Sequence, residues 1–339
     1  MNLATTYLGL ELDNPIIAGA SAMTGSTGLA KRIEDAGAAA LVTQSLFEEQ
    51  LQLQRFHEDE EAAAASSRHP EMTTVFPDVG ENDAQEHLEW LRNLKETLGI
   101  PVVGSLNAVR PESWIGYAQK MAQTGVDALE LNFYSGSRAT ARAAADIENE
   151  QKQIVREICT KIDLPVSVKL SVFYTNPEQV VRELVDAGAA GVVLFNAFFH
   201  PDFDIETEGN VLPRSLSRPE TIRLRLRFAG LLYAETNASV CVSGGVLDGT
   251  GVVKALLAGA DAVQMVSALY RDKPECVGKA LEDVSAWMQK KGYESLADFR
   301  GKLSRKHNPD RWTYTRMQYA RALLRTDPLA PPDHALRST

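Results

Sequence analysis

Cysteine is scarce in this 339-residue chain, and that scarcity closes several routes at once. The three that occur, Cys159, Cys241 and Cys276, lie far apart and show no Cys-x-x-Cys spacing. Neither an iron–sulfur cluster nor a zinc knuckle can be assembled from them, and they are expected to be buried free thiols. Positive charge is also in deficit, with 35 Lys and Arg against 45 Asp and Glu and a formal net charge of −10. Nucleic acid and anionic membranes need clustered basic residues, so neither is an expected partner, and a small molecule fits better. No stretch reaches the ~20 consecutive apolar residues that span a bilayer, and Met1–Gly9 has no basic head followed by an apolar run. A cytoplasmic protein is expected. His57, His69 and His200 show no His-x-His or His-x-x-x-His spacing, so no metal site is expected. Linkers, low-complexity tracts and heptads are missing too. The chain, 44% hydrophobic, is therefore expected to form a single domain over 1–339 with a polar, flexible tail from about Pro328.

What is present is a repeated phrase. Asp35-Ala36-Gly37-Ala38, Thr124-Gly125-Val126-Asp127, Asp186-Ala187-Gly188-Ala189 and Ala258-Gly259-Ala260-Asp261 each follow an amphipathic helical pattern and precede an apolar run. A left-handed glycine ends a helix at little steric cost, and a small neighbour lets the chain turn directly into a buried strand. Repetition of helix, glycine and strand means parallel βαβ units. The apolar runs predict strands over 15–20, 39–43, 101–105, 128–132, 166–169, 191–196, 239–243 and 262–267. Eight parallel strands imply an α/β fold of TIM (β/α)8 barrel type. Leu3–Leu12 alternates and ends at Asp13-Asn14-Pro15, which predicts a hairpin plugging the N-terminal mouth. Two connections are long, Leu46 to about Gln85 after strand two and His200 to about Pro219 after strand six, and both are expected to cover the C-terminal mouth. From Trp287 the chain reads as helix followed by tail.

In a barrel the loops at the C-terminal ends of the strands build the active site. Most of the runs end there in a polar residue: Gln44, Asn107 shortly after its strand, Asn132, Lys169, Asn196, Ser243 and Ser267. Ser243-Gly244-Gly245-Val246, ahead of a helix starting near Thr250, suits a phosphate, because glycines expose backbone N–H groups and a helix start favours anions. Taken alone it suits a tight turn equally; the Ser267 hydroxyl after strand eight tips the pair toward phosphate. Lys169 either puts an ammonium into a partly dry mouth, where it needs an anionic partner or an electron-rich ring, or is a surface lysine at a strand end. Asn132 and Asn196 can donate to and accept from a planar heterocycle, or cap loops. Ser135, three residues beyond Asn132, can set its hydroxyl over a bound ring as a weak base that needs a relay to water.

These residues resemble those of the dihydroorotate dehydrogenases, the soluble class 1 branch in particular, over nearly the whole chain. The likeness is carried by Asn14-Pro15 with the preceding hairpin, Asn132 opening a strand-four loop, Val168-Lys169-Leu170 at strand five, and Ser243-Gly244-Gly245 with Ser267. The stretch from Lys291-Gly292-Tyr293 to Phe299-Arg300-Gly301 is also similar to the family's C-terminal signature. The resemblance implies FMN with its phosphate on Gly244, Gly245 and Ser267, and with Ala20, Ser21, Gln44, Ser45, Asn107, Ser243 and Val266 among its contacts. It implies Lys169 at the pyrimidine edge of the flavin, stabilising the reduced anion, and Asn132 and Asn196 facing both cofactor and substrate. Ser135 takes the position of the family's cysteine or serine base, so Ser135 and Lys169 are the implied catalytic residues. The implied activity is oxidation of dihydroorotate or a related small cyclic amide by proton abstraction and hydride transfer to the flavin. With no cluster in the chain, a soluble electron acceptor or redox partner protein reoxidises the flavin, and a homodimer is compatible with the family.

The departures concern the substrate side. Gln44-Ser45 stands where the family has Lys-Ser, and Met72-Thr73-Thr74-Val75-Phe76-Pro77 lacks the family's asparagine- and glycine-bearing orotate loop. Gly136-Ser137 replaces Pro-Asn, and Leu216-Ser217-Arg218-Pro219 replaces a glycine pair. An unpaired buried polar group costs about 1–3 kcal/mol, so orotate binding needs substitutes such as Arg138 or Arg218. Two other readings stay open: a flavin-free lyase or aldolase with Lys169 as Schiff-base nucleophile, and a non-catalytic FMN-binding barrel.

Overall fold

The structure is a computed structural model that describes residues 1–49, 51, 84–134, 142–198, 201–211 and 216–323. The four glycine phrases turn the chain from helix to strand as their chemistry requires: Gly37, Gly125, Gly188 and Gly259 have φ of 99°, 88°, 115° and 121°. The strands are β1 (Thr5–Tyr7), β2 (Leu10–Leu12), β3 (Ile16–Ala18), β4 (Ala40–Val42), β5 (Leu46–Phe47), β6 (Val102–Asn107) and β7 (Ala128–Asn132). They continue with β8 (Val166–Leu170), β9 (Gly191–Leu194), β10 (Asp202–Asp204), β11 (Gly209–Val211), β12 (Ser239–Ser243) and β13 (Ala262–Met265). Hydrogen bonding runs β4-β3-β13-β12-β9-β8-β7-β6, and β6 pairs back onto β4. Every one of these pairings is parallel, so eight strands close into a (β/α)8 barrel, one for each apolar run.

Helices cover the barrel because each carries an apolar stripe. Gln85–Thr97 buries Leu88, Leu91 and Leu94, and Pro177–Asp186 buries Val180, Val181 and Leu184, the spacing of one helical face. Side-chain caps fix where several of them begin: Ser26, Asn176 and Asp248 accept from the amides of Leu29, Gln179 and Gly251. Pro111–Ala122 has no side-chain cap, but its entry is held by a residue from a distant segment. Glu48 accepts from the Val109 amide at 2.7 Å, from Arg110 Nε at 2.8 Å and from the Ser113 hydroxyl at 2.8 Å. Burial alone would push this carboxyl up, yet the amides and the Arg110 guanidinium outweigh it and hold it below its ordinary value.

Alternation along the strands splits the core in two. Outward residues such as Leu129, Leu131, Val168 and Val192 meet the helices. Inward residues Ile17, Val42, Val103, Ala128, Val193, Cys241 and Ala262 meet one another and the β1–β2 hairpin, whose Tyr7, Leu8 and Leu12 plug the N-terminal mouth. Leu8 enters so far that a side chain on Gly191 would lie 2.4 Å from its Cδ2.

Three details differ from the sequence reading. Leu46–Phe47, read as the start of a loop, pairs with the end of β6 before the connection departs. The connection after strand six contains an antiparallel hairpin, β10–β11. The helix that contains Trp287 starts at Cys276, well before it, and stops at Gly292, whose φ of 72° favours glycine, and a separate helix follows over Met317–Leu323. Cys159, Cys241 and Cys276 are free thiols, the last two buried, and burial holds all three above the ordinary thiol value. The expected tail from Pro328, the loop at Met72–Pro77, and His57, His69 and His200 lie outside the described residues.

Candidate functional site at the C-terminal mouth

Lys169 occupies an inward position near the end of β8 and is only 5% exposed. Its Nζ donates to Gln264 Oε1 at 2.8 Å and lies 3.3 Å from Glu130 Oε1. Gln264 Nε2 in turn donates to the other oxygen of Glu130. Glu130 sits on β7 and Gln264 on β13, and β9 and β12 separate β13 from β8, so the network crosses the barrel interior. Glu130 is fully buried and Gln264 is 1% exposed. Lys169 therefore meets its anionic partner inside the chain, and the reading of it as a surface lysine is wrong.

Above that layer lie the strand ends. Asn132 closes β7 directly across from Lys169 in the strand register, and its Oδ1 accepts from the Asn196 amide two residues past β9. The two asparagines thus form one amide pair beside the ammonium. Beyond that one bond, the Asn132 amide nitrogen can still donate to a planar ligand and the Asn196 carbonyl oxygen can still accept from it. Asn107, the last residue of β6, is buried, and Ser45 Oγ pairs with Ser105 Oγ at 2.7 Å. Gln44 turns its amide oxygen over Gly25, so that a side chain there would displace it. Ala20 and Ser21 follow β3, half-buried, with the Ser21 hydroxyl donating to the Gly19 carbonyl at 3.3 Å.

Around the barrel at β12, Ser243 ends the strand and Gly244 and Gly245 follow with φ of 97° and 80°. A side chain on Gly245 would lie 2.4 Å from the Ile222 amide nitrogen, so the helix Ile222–Leu232 starts against this turn. Consecutive left-handed glycines can turn successive peptide N–H groups to one side, which is the cradle an oxyanion needs. Val266 and Ser267 follow β13, and Ser267 Oγ accepts from the Ser217 amide at 2.9 Å. The donor set therefore fits a phosphomonoester. Arg218 is exposed at the start of the turn Pro219–Thr221. Ser135, Gly136, Ser137 and Arg138 lie outside the described residues.

Three residues of the site escaped the sequence reading: Glu130, Gln264 and Arg225. Glu130 and Gln264 were absorbed into apolar runs. Glu130, however, shares alternation parity with Asn132, so a charge within Ala128–Asn132 already pointed to the barrel interior. Arg225 lies on the buried stripe Ile222, Arg225, Ala229, Leu232, is 8% exposed, and donates through Nε to the Ser243 carbonyl at 3.1 Å.

The dihydroorotate dehydrogenase family model matches residues 2–288. The chain belongs to the dihydroorotate dehydrogenase family. It is similar to the dihydroorotate dehydrogenase B (NAD(+)) catalytic subunit of Methanocaldococcus jannaschii, at 25% identity over 85% of this chain and 94% of that protein. The corresponding catalytic subunit of Thermoplasma volcanium is 26% identical over 80% of this chain and 88% of that protein. The dihydroorotate dehydrogenase A (fumarate) of Lactobacillus delbrueckii is 25% identical over 64% of this chain and 72% of that protein. Family membership makes the chain an oxidoreductase of the dehydrogenase kind. Among the described residues, no helix is long and apolar enough to cross a membrane.

Proposed function

We propose that this family member is an FMN-dependent dehydrogenase that oxidises dihydroorotate or a related small cyclic amide. The observation that carries the reading is the buried Lys169, held by Glu130 and Gln264 beneath the Asn132–Asn196 amide pair, with the Gly244–Gly245 turn nearby on β12. FMN, when bound, supplies a two-electron acceptor. Gly244, Gly245 and Ser267 hold its phosphate, and Lys169 presents a fixed positive charge at the edge where negative charge develops on reduction. Ala20, Ser21, Gln44, Ser45, Asn107, Ser243 and Val266 line the rest of its bed.

The substrate loses a proton and a hydride from neighbouring carbons, leaving a double bond. In this reading Ser135 Oγ takes the proton and passes it to water, and the Asn132–Asn196 pair orients the amide edge of the substrate. The relatives are named for NAD(+) and for fumarate as acceptors, so reoxidation by a soluble acceptor or a redox partner protein is part of the proposal. The whole chain is taken as one barrel domain.

The Schiff-base alternative loses ground on the same observation. Lys169 spends its ammonium on an ion pair and an amide inside the barrel, whereas a Schiff-base lysine needs a free amine aimed at the substrate. The non-catalytic alternative keeps one support, since Gln44 brings no charge to the pocket and folds over Gly25. Spectroscopy separates these readings. The purified protein is expected to absorb at about 450 nm, to release FMN on denaturation, and to bleach anaerobically with dihydroorotate or a cyclic amide of that class, as paired proton and hydride removal requires. Bleaching by dithionite alone makes it a non-catalytic flavin carrier, and absence of flavin ends the proposal. In Ser135→Ala the bound flavin spectrum should stay unchanged while reduction by substrate slows by ~10²-fold or more.

A further inference from the structure

Among the described residues, two cations are buried at this mouth, and one of them has a counter-charge. Lys169 has Glu130 at 3.3 Å. Arg225 has three main-chain carbonyls: Ser243 at 3.1 Å, Thr221 at 3.1 Å and Asn196 at 3.5 Å. Among the described residues, no carboxylate lies within ion-pair distance of its guanidinium. Carbonyl dipoles compensate only part of the lost hydration, and burial accordingly lowers the guanidinium below its ordinary value. An aliphatic residue at 225 would extend the stripe of Ile222, Ala229 and Leu232 without that cost, so the charge calls for a use.

Its position supplies one. A side chain on Gly244 would lie 3.3 Å from both Nε and Nη2 of Arg225 and 3.5 Å from Cζ. The guanidinium lies on the Cα side of Gly244, in the space a side chain there would need, with the Phe195 ring on another side at 5.9 Å. With five N–H groups and three carbonyls to serve, it also keeps donors in reserve.

We propose that Arg225 is the fixed positive charge of the anion site at Gly244–Gly245, and that it makes the chain select a phosphorylated flavin over the same flavin without its phosphate. This rests on the FMN reading above. A phosphomonoester dianion on the turn is the missing counter-charge, and in a partly dry site the attraction is stronger than at a surface. Arginine suits the task because it stays charged when buried and uses its planar fork to tie the ends of β9 and β12 to the helix.

The test compares FMN with riboflavin, titrated into the full-length chain freed of flavin. Arg225→Gln should raise the FMN dissociation constant on the order of 10- to 100-fold, the scale of one charge-assisted contact, and leave riboflavin binding nearly unchanged. Arg225→Lys should keep most of the preference for FMN. If Arg225→Gln weakens both flavins equally, Arg225 is only a structural pin and the proposal is overturned. If the uncharged variant does not fold, the wild-type chain decides: its melting temperature must rise with inorganic phosphate and not with chloride of equal ionic strength, and no such rise overturns the proposal. A wild-type chain that takes up neither flavin but gains stability from phosphate ends the flavin reading and leaves the anion site standing. One that binds both flavins equally ends this inference alone.

Discussion

At the scale of single residues, Lys169 and Glu130 show how a charge is held inside a barrel. Side-chain exposures of 6% and 0% put both deep in protein, where an ion pair persists only if its remaining donors and acceptors are filled. Gln264 fills them, accepting from the ammonium and donating to the carboxylate. Removing one partner leaves the other buried and uncompensated. Glu130→Gln is expected to lower the unfolding free energy by ~3–5 kcal/mol, measured as a shift in the denaturant midpoint, and Lys169→Met added to it should recover part of the loss. A double variant no more stable than Glu130→Gln would refute the coupling. Lys169, Asn132, Asn196 and Ser243-Gly244-Gly245 were legible as candidates because each is a polar or glycine interruption at the end of an apolar run. Their partners were not, because Lys169 and Gln264 are 95 residues apart and nothing local joins them.

At the scale of elements, the helix Gln85–Thr97 carries a pH-sensitive feature on its apolar face. His87 packs on Trp90 with ring centroids 5.1 Å apart, beside the buried Leu88 and Leu91. Burial lowers its pKa from 6.5 to about 4. As pH falls through that window the unfolded chain takes up a proton that the folded chain refuses, so stability drops from about pH 6.5 downward and the loss is complete once the folded state also protonates near 4. His87→Leu should flatten this stretch of the stability–pH curve, with denaturant midpoints at pH 7 and pH 5 moving closer together than in the wild-type chain. An unchanged difference would mean that other groups set the acid limit. The elements themselves were largely legible, because glycine stops, caps and apolar stripes are local. Their boundaries were less so: β5 exists only because β6 offers an edge to pair with, and the entry to Pro111–Ala122 is held by Glu48, outside any motif the helix sequence contains.

At the scale of the whole molecule, the barrel is finished at its N-terminal end by the β1–β2 hairpin. Tyr7, 2% exposed, stands in the inner core with residues from β3, β4, β6, β7, β9, β12 and β13. The hairpin is fastened by Thr5 Oγ1 on the Asp261 carbonyl at 3.0 Å and by the Leu8 amide on Ser239 Oγ at 3.0 Å. Tyr7→Ala should cost ~3–5 kcal/mol of stability, the range for emptying a large aromatic site in a packed core, measured by chemical denaturation. A loss below ~1 kcal/mol would show that the barrel does not depend on its plug. By itself the sequence determined the number and direction of the eight barrel strands, the plug and the double-glycine turn after β12, since each follows from local periodicity or backbone sterics. Only the tertiary structure decided that Glu130 and Gln264 hold Lys169, that Asn132 meets Asn196, and that Arg225 lies against Gly244. Those contacts exist because closing the sheet brings distant strands to face one another across a space a few side chains wide, and no pattern along the chain encodes which inward residue faces which.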